Sequence, residues 1–274
     1  MTDFDRVRNY YKYFDEQNRL QSSGSGRLEF ETTMEVLHSF LPEKGKILDL
    51  GGGAGAYSFP LADEGYSVTL ADLSEELIDK AREYGKGRPL APESYDIVNA
   101  TDLSRYTDEE FDAVILLGPL YHLLEASERE RCVSEAGRVL KSGGVIFAGF
   151  IPRLSGTVGI IDRYFNHPNQ VNAETLRQTF GTGKFRNLTD AGFQEGYYPT
   201  SDEIEELFSA NGFSRMLLRS LRGIGYGKED ALYRLEKEDP EMYAAAKQLL
   251  NETSTDRAIV ETCSHAVYVG RKQA

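Results

Sequence analysis

Short apolar runs and amphipathic segments alternate along the middle of the chain. Apolar runs bounded by polar turns predict buried strands, and apolar positions three and four residues apart predict helices. The predicted strands cover Lys46–Leu50, Ser67–Ala71, Tyr95–Val98, Phe111–Leu117 and Gly144–Phe150. The predicted helices between them cover Tyr57–Glu64, Ser74–Glu83 and Ser127–Leu140. This β–α alternation predicts an α/β fold, with a mostly parallel, doubly wound sheet between two layers of helices.

The flanking segments follow other patterns. Residues 4–20 and 27–41 have helical spacing, and the second of these segments is ended by Pro42. Residues 151–200 are rich in Arg, Asn, Gly, Phe and Tyr with no clear strand pairing, and we interpret them as an inserted lid. Further elements are predicted at Ser201–Asn211 (helix, with Ser201 as its N-cap), Arg215–Arg222 (strand), Pro240–Leu250 (helix) and His265–Arg271 (strand). We divide a single domain, 1–274, into a helical cap (1–42), a cofactor-binding core (43–150), the lid (151–200) and the remaining core (201–274).

Composition narrows the class of protein. The 274 residues are 40% hydrophobic and 27% charged, which is ordinary for a soluble globular protein. The net charge of -13 argues against a broad nucleic-acid-binding face. No apolar run reaches membrane-spanning length, the N-terminus is too polar for a signal peptide, and Cys132 and Cys263 lack C-x-x-C spacing. We therefore expect a cytoplasmic monomer or homodimer without membrane contact, and no metal, since no cluster with zinc spacing is present.

A glycine turn carries the strongest chemical signal. The strand ending at Leu50 runs into a five-residue turn, Gly51–Gly55, in which four residues are glycines. Glycine permits positive φ and a close approach of a ligand to the backbone, and the following helix would point its first N–H groups at that ligand. Gly51-x-Gly53-x-x-Ala56 also fits the dinucleotide-binding pattern, and Asp72 fits a ribose contact in either class of protein. Asp49, two residues before the turn, would repel a pyrophosphate and suits a cationic cofactor.

Four segments together resemble the class I S-adenosylmethionine-dependent methyltransferases. They are Leu48–Gly55, Thr69–Ser74, Phe111–Val114 and Arg138–Gly144. The resemblance implies a Rossmann-like sheet of seven strands whose last strand, here His265–Arg271, is antiparallel. It also implies S-adenosyl-L-methionine as the cofactor. Gly118–Leu123, Glu16 with Arg19, and Thr182–Asn187 further resemble a bacterial subgroup that methylates small molecules.

The resemblance also implies cofactor contacts. Gly51, Gly53, Gly55 and Leu117 would lie beside the methionine part of the cofactor, and Asp49 near its amino group. Asp72 would bind the ribose, Leu73 would lie against the adenine, and Asn99 with Ala100 would contact the adenine amino group, with Asp102 as a competing candidate. In the N-terminal segment, Tyr11 and Arg19 either fold over the cofactor, Arg19 pairing with its carboxylate, or belong to a solvated helix face.

Candidates for catalysis and acceptor binding follow strand four and lie in the lid. His122 is either a general base or a residue that packs in the pocket wall, and Tyr121 is either an aromatic wall or a proton-transfer group. Arg186 and Tyr197 are candidate substrate contacts within a lid whose Arg and aromatic residues suit a planar acidic substrate; the alternative is that they pack the lid on the core. His38 and His265 lie on predicted helix and strand faces, which is typical of structural residues.

Four functions remain open from sequence. The leading hypothesis is in-line methyl transfer from S-adenosylmethionine to an oxygen or nitrogen of a small molecule, for which alignment and exclusion of water matter most. The others are a methyltransferase acting on RNA or protein, a nicotinamide-dependent oxidoreductase, and a cofactor-binding protein without catalysis. No universal catalytic residue is expected for methyl transfer, because the leaving sulfide is neutral.

Overall fold

The computed structural model describes residues 2–13, 20 and 22–273, with the backbone alone for residues 9–13. Its strands are β1 (Lys46–Leu50), β2 (Ser67–Asp72), β3 (Ser94–Ile97), β4 (Phe111–Leu116), β5 (Leu140–Phe150), β6 (Lys184–Arg186), β7 (Glu195–Tyr197), β8 (Phe213–Ser220) and β9 (Ala266–Lys272). Seven of them form one sheet in the order β3-β2-β1-β4-β5-β9-β8. This order, with β1 near the centre and two crossover directions, is the doubly wound sheet predicted from the sequence.

Helices cover both faces of that sheet. They are α1 (Phe4–Tyr13), α2 (Gly24–Phe40), α3 (Ser58–Asp63), α4 (Glu75–Gly85), α5 (Ala126–Val139), α6 (Arg153–Asn166), α7 (Ala173–Thr182), α8 (Ser201–Ala210), α9 (Glu229–Glu238), α10 (Pro240–Thr253) and α11 (Arg257–Thr262). Short 3₁₀ turns lie at Pro119–His122 and Gly223–Gly225. Sequence reasoning missed α9 and α11.

The alternation of side chains along the central strands explains the two helical layers. Successive residues of a strand point to opposite faces, so a strand that is apolar throughout buries both. Val114 belongs to one apolar cluster and its neighbour Ile115 to the other, and both are fully buried. Leu48 and Ile47 divide in the same way on β1. The core therefore consists of two layers separated by the sheet.

Strand β9 is antiparallel to its neighbours, as the family resemblance implies. It pairs antiparallel with β5, Phe150 opposite Ala266, and with β8, Ser220 opposite Ala266. Because β9 runs in reverse, its first residue lies at the sheet edge where the parallel strands end. His265, which precedes β9, therefore lies at the same edge as the glycine turn, and this is the edge at which open α/β sheets bind ligands.

The lid contains more regular structure than expected. Helices α6 and α7 and an antiparallel β6–β7 pair occupy it, whereas the sequence suggested no clear strand pairing. Each of these strands has only three residues, too few to show an alternating pattern. The pair is held by packing instead, since the ring of Phe185 stacks on Phe193 and on Tyr198 at centroid distances of 5.9 and 6.0 Å.

The N-cap of α8 is Thr200, so the prediction of Ser201 at this position is wrong by one residue. The Thr200 hydroxyl accepts from the Glu203 N–H, and the Glu203 carboxylate accepts from the Thr200 N–H at 2.9 Å. This reciprocal pair is a capping box. The T-x-x-E spacing of Thr200 and Glu203 was readable from sequence, and it places the start of the helix one residue earlier than Ser201 alone suggests.

Candidate functional site

The turn after β1 is glycine-rich because its geometry requires glycine. Gly51, Gly53 and Gly55 have φ values of 76°, 57° and 89°, a region that side chains strongly disfavour. Gly51 is also in close contact with the next loop, since a Cβ there would lie 2.5 Å from the Cδ of Pro119. The turn is therefore fixed both by its own backbone and by the segment after β4.

Gly51→Ala is expected to destabilise the protein by about 2 to 4 kcal/mol, the sum of left-handed strain and overpacking against Pro119. Denaturant unfolding measures the loss. Gly65→Ala is the matched control, because Gly65 has φ of 92° and no atom would lie within 4 Å of a Cβ added there. The control should cost only the backbone strain, about 1 to 2 kcal/mol. Equal losses in the two variants would contradict the close contact with Pro119.

Asp49 lies beneath the turn, at the end of β1. Its side chain is 2% exposed and accepts a hydrogen bond of 2.6 Å from the hydroxyl of Ser58. Burial raises the pKa of Asp49 to about 7, with a smaller contribution from the negative charge of Asp72 and an opposing one from Ser58. A buried carboxyl of this kind is stabilised in its ionised form by a cation placed next to it. The position therefore suits a ligand with an ammonium group.

Asp72 is held in place at the end of β2. Its two oxygens accept from the backbone N–H of Gly53 at 2.9 Å and of Ser74 at 2.8 Å. The first bond ties the carboxylate to the glycine turn, and the second ties it to the start of α4. The carboxylate is therefore oriented by the backbone at the edge where the strands end.

One cavity brings most of the predicted site residues together. It encloses about 980 Å³ of unfilled space, part of it open to solvent. The predicted residues that line it are Asp49, Gly51, Gly53, Asp72, Leu73, Asn99, Ala100, Leu117, Tyr121 and His122. We call it the cofactor cavity. Acidic groups lie at its base, and apolar side chains such as Leu77 and Val98 line a wall, which fits a ligand with a cationic end, a hydroxylated ring and a planar base.

Helix α1 supplies residues that sequence reasoning missed. Phe4, Val7 and Arg8 line the cofactor cavity together with Leu20. The helix is anchored by Thr2, whose hydroxyl donates to a carboxylate oxygen of Glu128 at 2.5 Å and accepts from the N–H of Leu124 at 2.9 Å. The i, i+3 spacing of Phe4 and Val7 was the available signal. The proposed contacts of Tyr11 and Arg19 lie outside the side chains that the structure describes.

Two predicted cofactor contacts are placed differently from the expectation. The side-chain oxygen of Asn99, expected to accept from adenine, already accepts from the N–H and the hydroxyl of Thr101, both at 3.0 Å. Gly55 does not line the cofactor cavity. A Cβ at Gly55 would lie 2.8 Å from the ring of Phe59, so this glycine serves the packing of the turn on α3. Asp102 likewise lies outside the cavity lining.

His122 is buried among aromatic rings. Its ring lies 4.7 Å from that of Tyr121 and 5.4 Å from that of Phe193, and burial lowers its pKa to about 4. The imidazole is therefore neutral at physiological pH and a weak base. Although His122 lines the cofactor cavity, these surroundings favour the packing interpretation over the general-base interpretation.

The two predicted lid contacts do not reach the cofactor cavity. Tyr197 is buried under the guanidinium of Arg129, 3.5 Å from the ring centre, and its hydroxyl donates to Glu203 at 2.9 Å. Burial and that carboxylate raise the pKa of Tyr197. Arg186 is an exposed residue of β6. In the described structure Tyr197 therefore packs the lid on the core, and Arg186 belongs to the surface of the lid.

Comparison with known proteins identifies the domain that contains the glycine turn. Residues 48–148 match the family model of a methyltransferase domain. The chain is 34% identical over 112 residues to a putative methyltransferase, YqeM, of Bacillus subtilis, covering 40% of this chain and 44% of that protein. It is 29% identical over 212 residues to the ubiquinone/menaquinone biosynthesis C-methyltransferase UbiE of Zymomonas mobilis, covering 77% and 83%. An S-adenosylmethionine-dependent methyltransferase structure from Methanosarcina mazei superposes with a TM-score of 0.60 at 22% identity, covering 87% of this chain and 97% of that one.

The fold is that of the class I S-adenosylmethionine-dependent methyltransferases. Residues 48–148 form a methyltransferase domain, whose cofactor is S-adenosylmethionine. The match spans less than half of YqeM, so the activity of that relative does not transfer to this chain. Among the described residues, no three His, Cys, Asp or Glu side chains are grouped as a metal site would require, and no helix is long and apolar enough to cross a membrane.

Proposed function

We propose that the protein transfers the methyl group of S-adenosylmethionine to an oxygen or nitrogen atom of a small molecule. The observation that carries the proposal is the convergence of Asp49, Asp72 and the glycine turn on one cavity. Asp49 would hold the amino group of the cofactor and Asp72 its ribose hydroxyls. When bound, the cofactor supplies an electrophilic methyl group on a positively charged sulfur.

The chain's own residues would bind and orient the cofactor, and they would exclude water from it. The carboxylates would hold the amino group and the ribose of the cofactor, and Phe4 and Val7 of α1, which line the cavity, would cover it. Such cover restricts both solvent and the approach of the acceptor, which is how enzymes of this kind gain rate through alignment. A covered cavity also favours a small acceptor over a folded macromolecule.

The net charge of the protein also supports a small-molecule acceptor. A net charge of -13 disfavours binding to the phosphate backbone of RNA, which needs clustered Lys and Arg. The relative UbiE is by its name a C-methyltransferase of ubiquinone and menaquinone biosynthesis. That relative supports a small-molecule acceptor, and it makes carbon the alternative accepting atom.

Labelled cofactor distinguishes the acceptor classes. The protein is incubated with S-adenosylmethionine carrying a radioactive methyl group, together with a pool of phenols, carboxylic acids and amines, with total tRNA, or with a protein mixture. We expect label in the small-molecule fraction, and a mass increase of one methyl group in the product. Label confined to the tRNA or protein fraction would overturn the proposed acceptor class while leaving the use of the cofactor intact.

A further inference from the structure

A second cavity lies between the lid and the sheet edge. It encloses about 550 Å³ of unfilled space, part of it open to solvent, and we call it the lid cavity. Its lining includes three aromatic rings, two of them in the lid, together with a guanidinium and an imidazole. These belong to Phe185, Tyr198, Tyr226, Arg163 and His265. Neither the cofactor contacts nor the family match uses these residues.

Tyr121 lies where the cofactor cavity comes close to the lid cavity. It lines the cofactor cavity, and its ring centre lies 6.2 Å from that of His265, which lines the lid cavity. The reason lies in the topology. Tyr121 follows β4, the lid follows β5, and His265 precedes the antiparallel β9, so all three lie at the edge where ligands bind in such sheets. A molecule that extends from the lid cavity past the ring of Tyr121 would therefore reach the cofactor.

His265 is oriented by a buried carboxylate. Its Nδ1 lies 3.1 Å from Oε2 of Glu29, which is 7% exposed. The Ser264 hydroxyl is more distant from the same Nδ1, at 3.5 Å. A carboxylate on Nδ1 favours the tautomer that carries its proton there, so Nε2 is left as the acceptor. The lid is tied to this position, because Ser264 donates its N–H to the hydroxyl of Ser155 at 2.9 Å.

Arg163 brings a positive charge to the lid cavity. It donates to the side-chain oxygen of Gln170 at 2.9 Å, a neutral partner, and lies 5.2 Å from the ring centre of Phe185. Within residues 2–13, 20 and 22–273, no ion pair joins its guanidinium to a carboxylate. A guanidinium without an acidic partner, placed over an aromatic ring, is suited to an acidic ligand with a planar part.

We infer that the lid cavity is the acceptor site, that it takes an aromatic molecule carrying a carboxylate and an O–H or N–H nucleophile, and that His265 is its general base. The inference rests on the proposed function. The accepting atom forms a bond to the methyl carbon as the carbon–sulfur bond breaks, and the electron pair of that bond stays on sulfur. The proton of the accepting atom passes to Nε2 of His265, and Glu29 stabilises the resulting imidazolium.

Binding of a ligand in the lid cavity is tested by filling that cavity with a side chain. Gly159 lines it, and no atom lies within 4 Å of the Cβ position there, so Gly159→Phe places a ring in the cavity without a clash at the backbone. Gly181→Phe is the matched control, because Gly181 is also helical and open but lies on α7 outside the cavity. Saturation-transfer NMR follows binding of 4-hydroxyphenylacetate to protein saturated with S-adenosylhomocysteine. We expect binding to the wild type and to Gly181→Phe, and at least about ten-fold weaker binding to Gly159→Phe. Equal binding to both variants would overturn the site.

The acidic group of the ligand is tested with its neutral isostere. 4-Hydroxyphenylacetamide should bind the wild type at least about ten-fold more weakly than the acid, since it lacks the charge that Arg163 would pair with. In Arg163→Gln that preference should disappear, whereas Arg177→Gln, an exposed change on α7, should retain it. An acid that binds no better than the amide to the wild type would overturn the ligand class.

The role of His265 as general base is tested by steady-state kinetics with a panel of phenols and aryl amines that carry a carboxylate. His265→Gln should lower kcat at least about a hundred-fold, a loss within the range for a general base, with KM changed less than about three-fold. His38→Gln is the matched control, because His38 contacts Glu64 at 3.0 Å on the exposed surface. A kcat unchanged in His265→Gln would overturn the base. No product from any panel member, with S-adenosylhomocysteine still bound, would overturn the acceptor class, whereas loss of that binding would count against the proposed function.

Glu29 is a positioning residue, and its test must separate orientation from folding. Within the described part of the chain, the charged and titratable groups near the His265 ring include Glu29, Tyr121, Arg163 across the lid cavity, and Arg222, which contacts it through Ser264. Glu29→Gln removes the negative charge, so the pH at which kcat becomes half-maximal should fall. A change in melting temperature without a shift of that pH profile would overturn the positioning role and assign Glu29 a structural role only.

Discussion

Replacing Asp72 with alanine is expected to weaken binding of S-adenosylhomocysteine by about 10- to 150-fold, as the loss of a hydrogen bond to a charged group costs about 1.5 to 3 kcal/mol. The carboxylate is fixed by the backbone N–H groups of Gly53 and Ser74, so it is already oriented before a ligand arrives. The same substitution also removes the bond that ties the carboxylate to the glycine turn. Titration calorimetry measures the change.

Two further variants make that result specific. Asp72→Asn keeps one side-chain acceptor but no charge, and it should fall between the wild type and the alanine variant. Asp102→Ala serves as the control, because Asp102 also accepts from a nearby N–H, that of Ser104 at 3.1 Å, but lies outside the cofactor cavity. An affinity unchanged in Asp72→Ala would show that Asp72 does not contact the ribose.

Asp49→Asn is expected to have opposite effects on binding and on stability. Burial raises the pKa of Asp49 to about 7, against 3.8 for the unfolded chain, so the folded state holds this proton up to a higher pH. The unfolding free energy of the ligand-free wild type should therefore fall as the pH rises from about 4 to about 7. Asparagine cannot ionise and avoids this loss, and the variant should be more stable than the wild type by up to about 4 kcal/mol at pH ~8.

Asp49→Asn is expected to weaken binding of the cofactor. The amide of the Asp49→Asn variant presents no charge to the amino group of the cofactor, so affinity should fall by about ten-fold or more. Binding to the wild type near neutral pH should also release a proton from Asp49, which calorimetry in buffers of different ionisation enthalpy detects. A variant that binds as tightly as the wild type, or a wild type whose stability is flat from acidic to neutral pH, would contradict the assigned position of Asp49.

The sequence predicted the sheet, and it predicted residues that meet around the cofactor cavity, because both depend on local patterns. The apolar run before Gly51 and the acidic residues at the ends of β1 and β2 specify strand ends, and strand ends meet at one edge of the sheet. Gly55 is an instructive exception. It belongs to the same glycine pattern, yet it serves the packing of Phe59 and does not line the cavity.

The lid cavity, which we propose as the acceptor site, was not predictable in the same way. The relation between Glu29 and His265 joins residues far apart in the chain, and no local pattern marks it. Sequence position alone favours a structural role for His265, which begins a predicted strand, and leaves His122, which follows one, open between a general base and a residue that packs in the pocket wall. Burial distinguishes them in the structure: the aromatic surroundings of His122 keep it neutral, while His265 faces a carboxylate beside a cavity.

The central claim is that the cofactor cavity binds S-adenosylmethionine, and calorimetry with two ligands tests it most directly. The protein is titrated with S-adenosylhomocysteine and, separately, with NADH. The positions of Asp49 and Asp72 predict saturable one-to-one binding of S-adenosylhomocysteine, weakened in Asp72→Ala, and no heat from NADH. Binding of NADH without binding of S-adenosylhomocysteine would contradict the account.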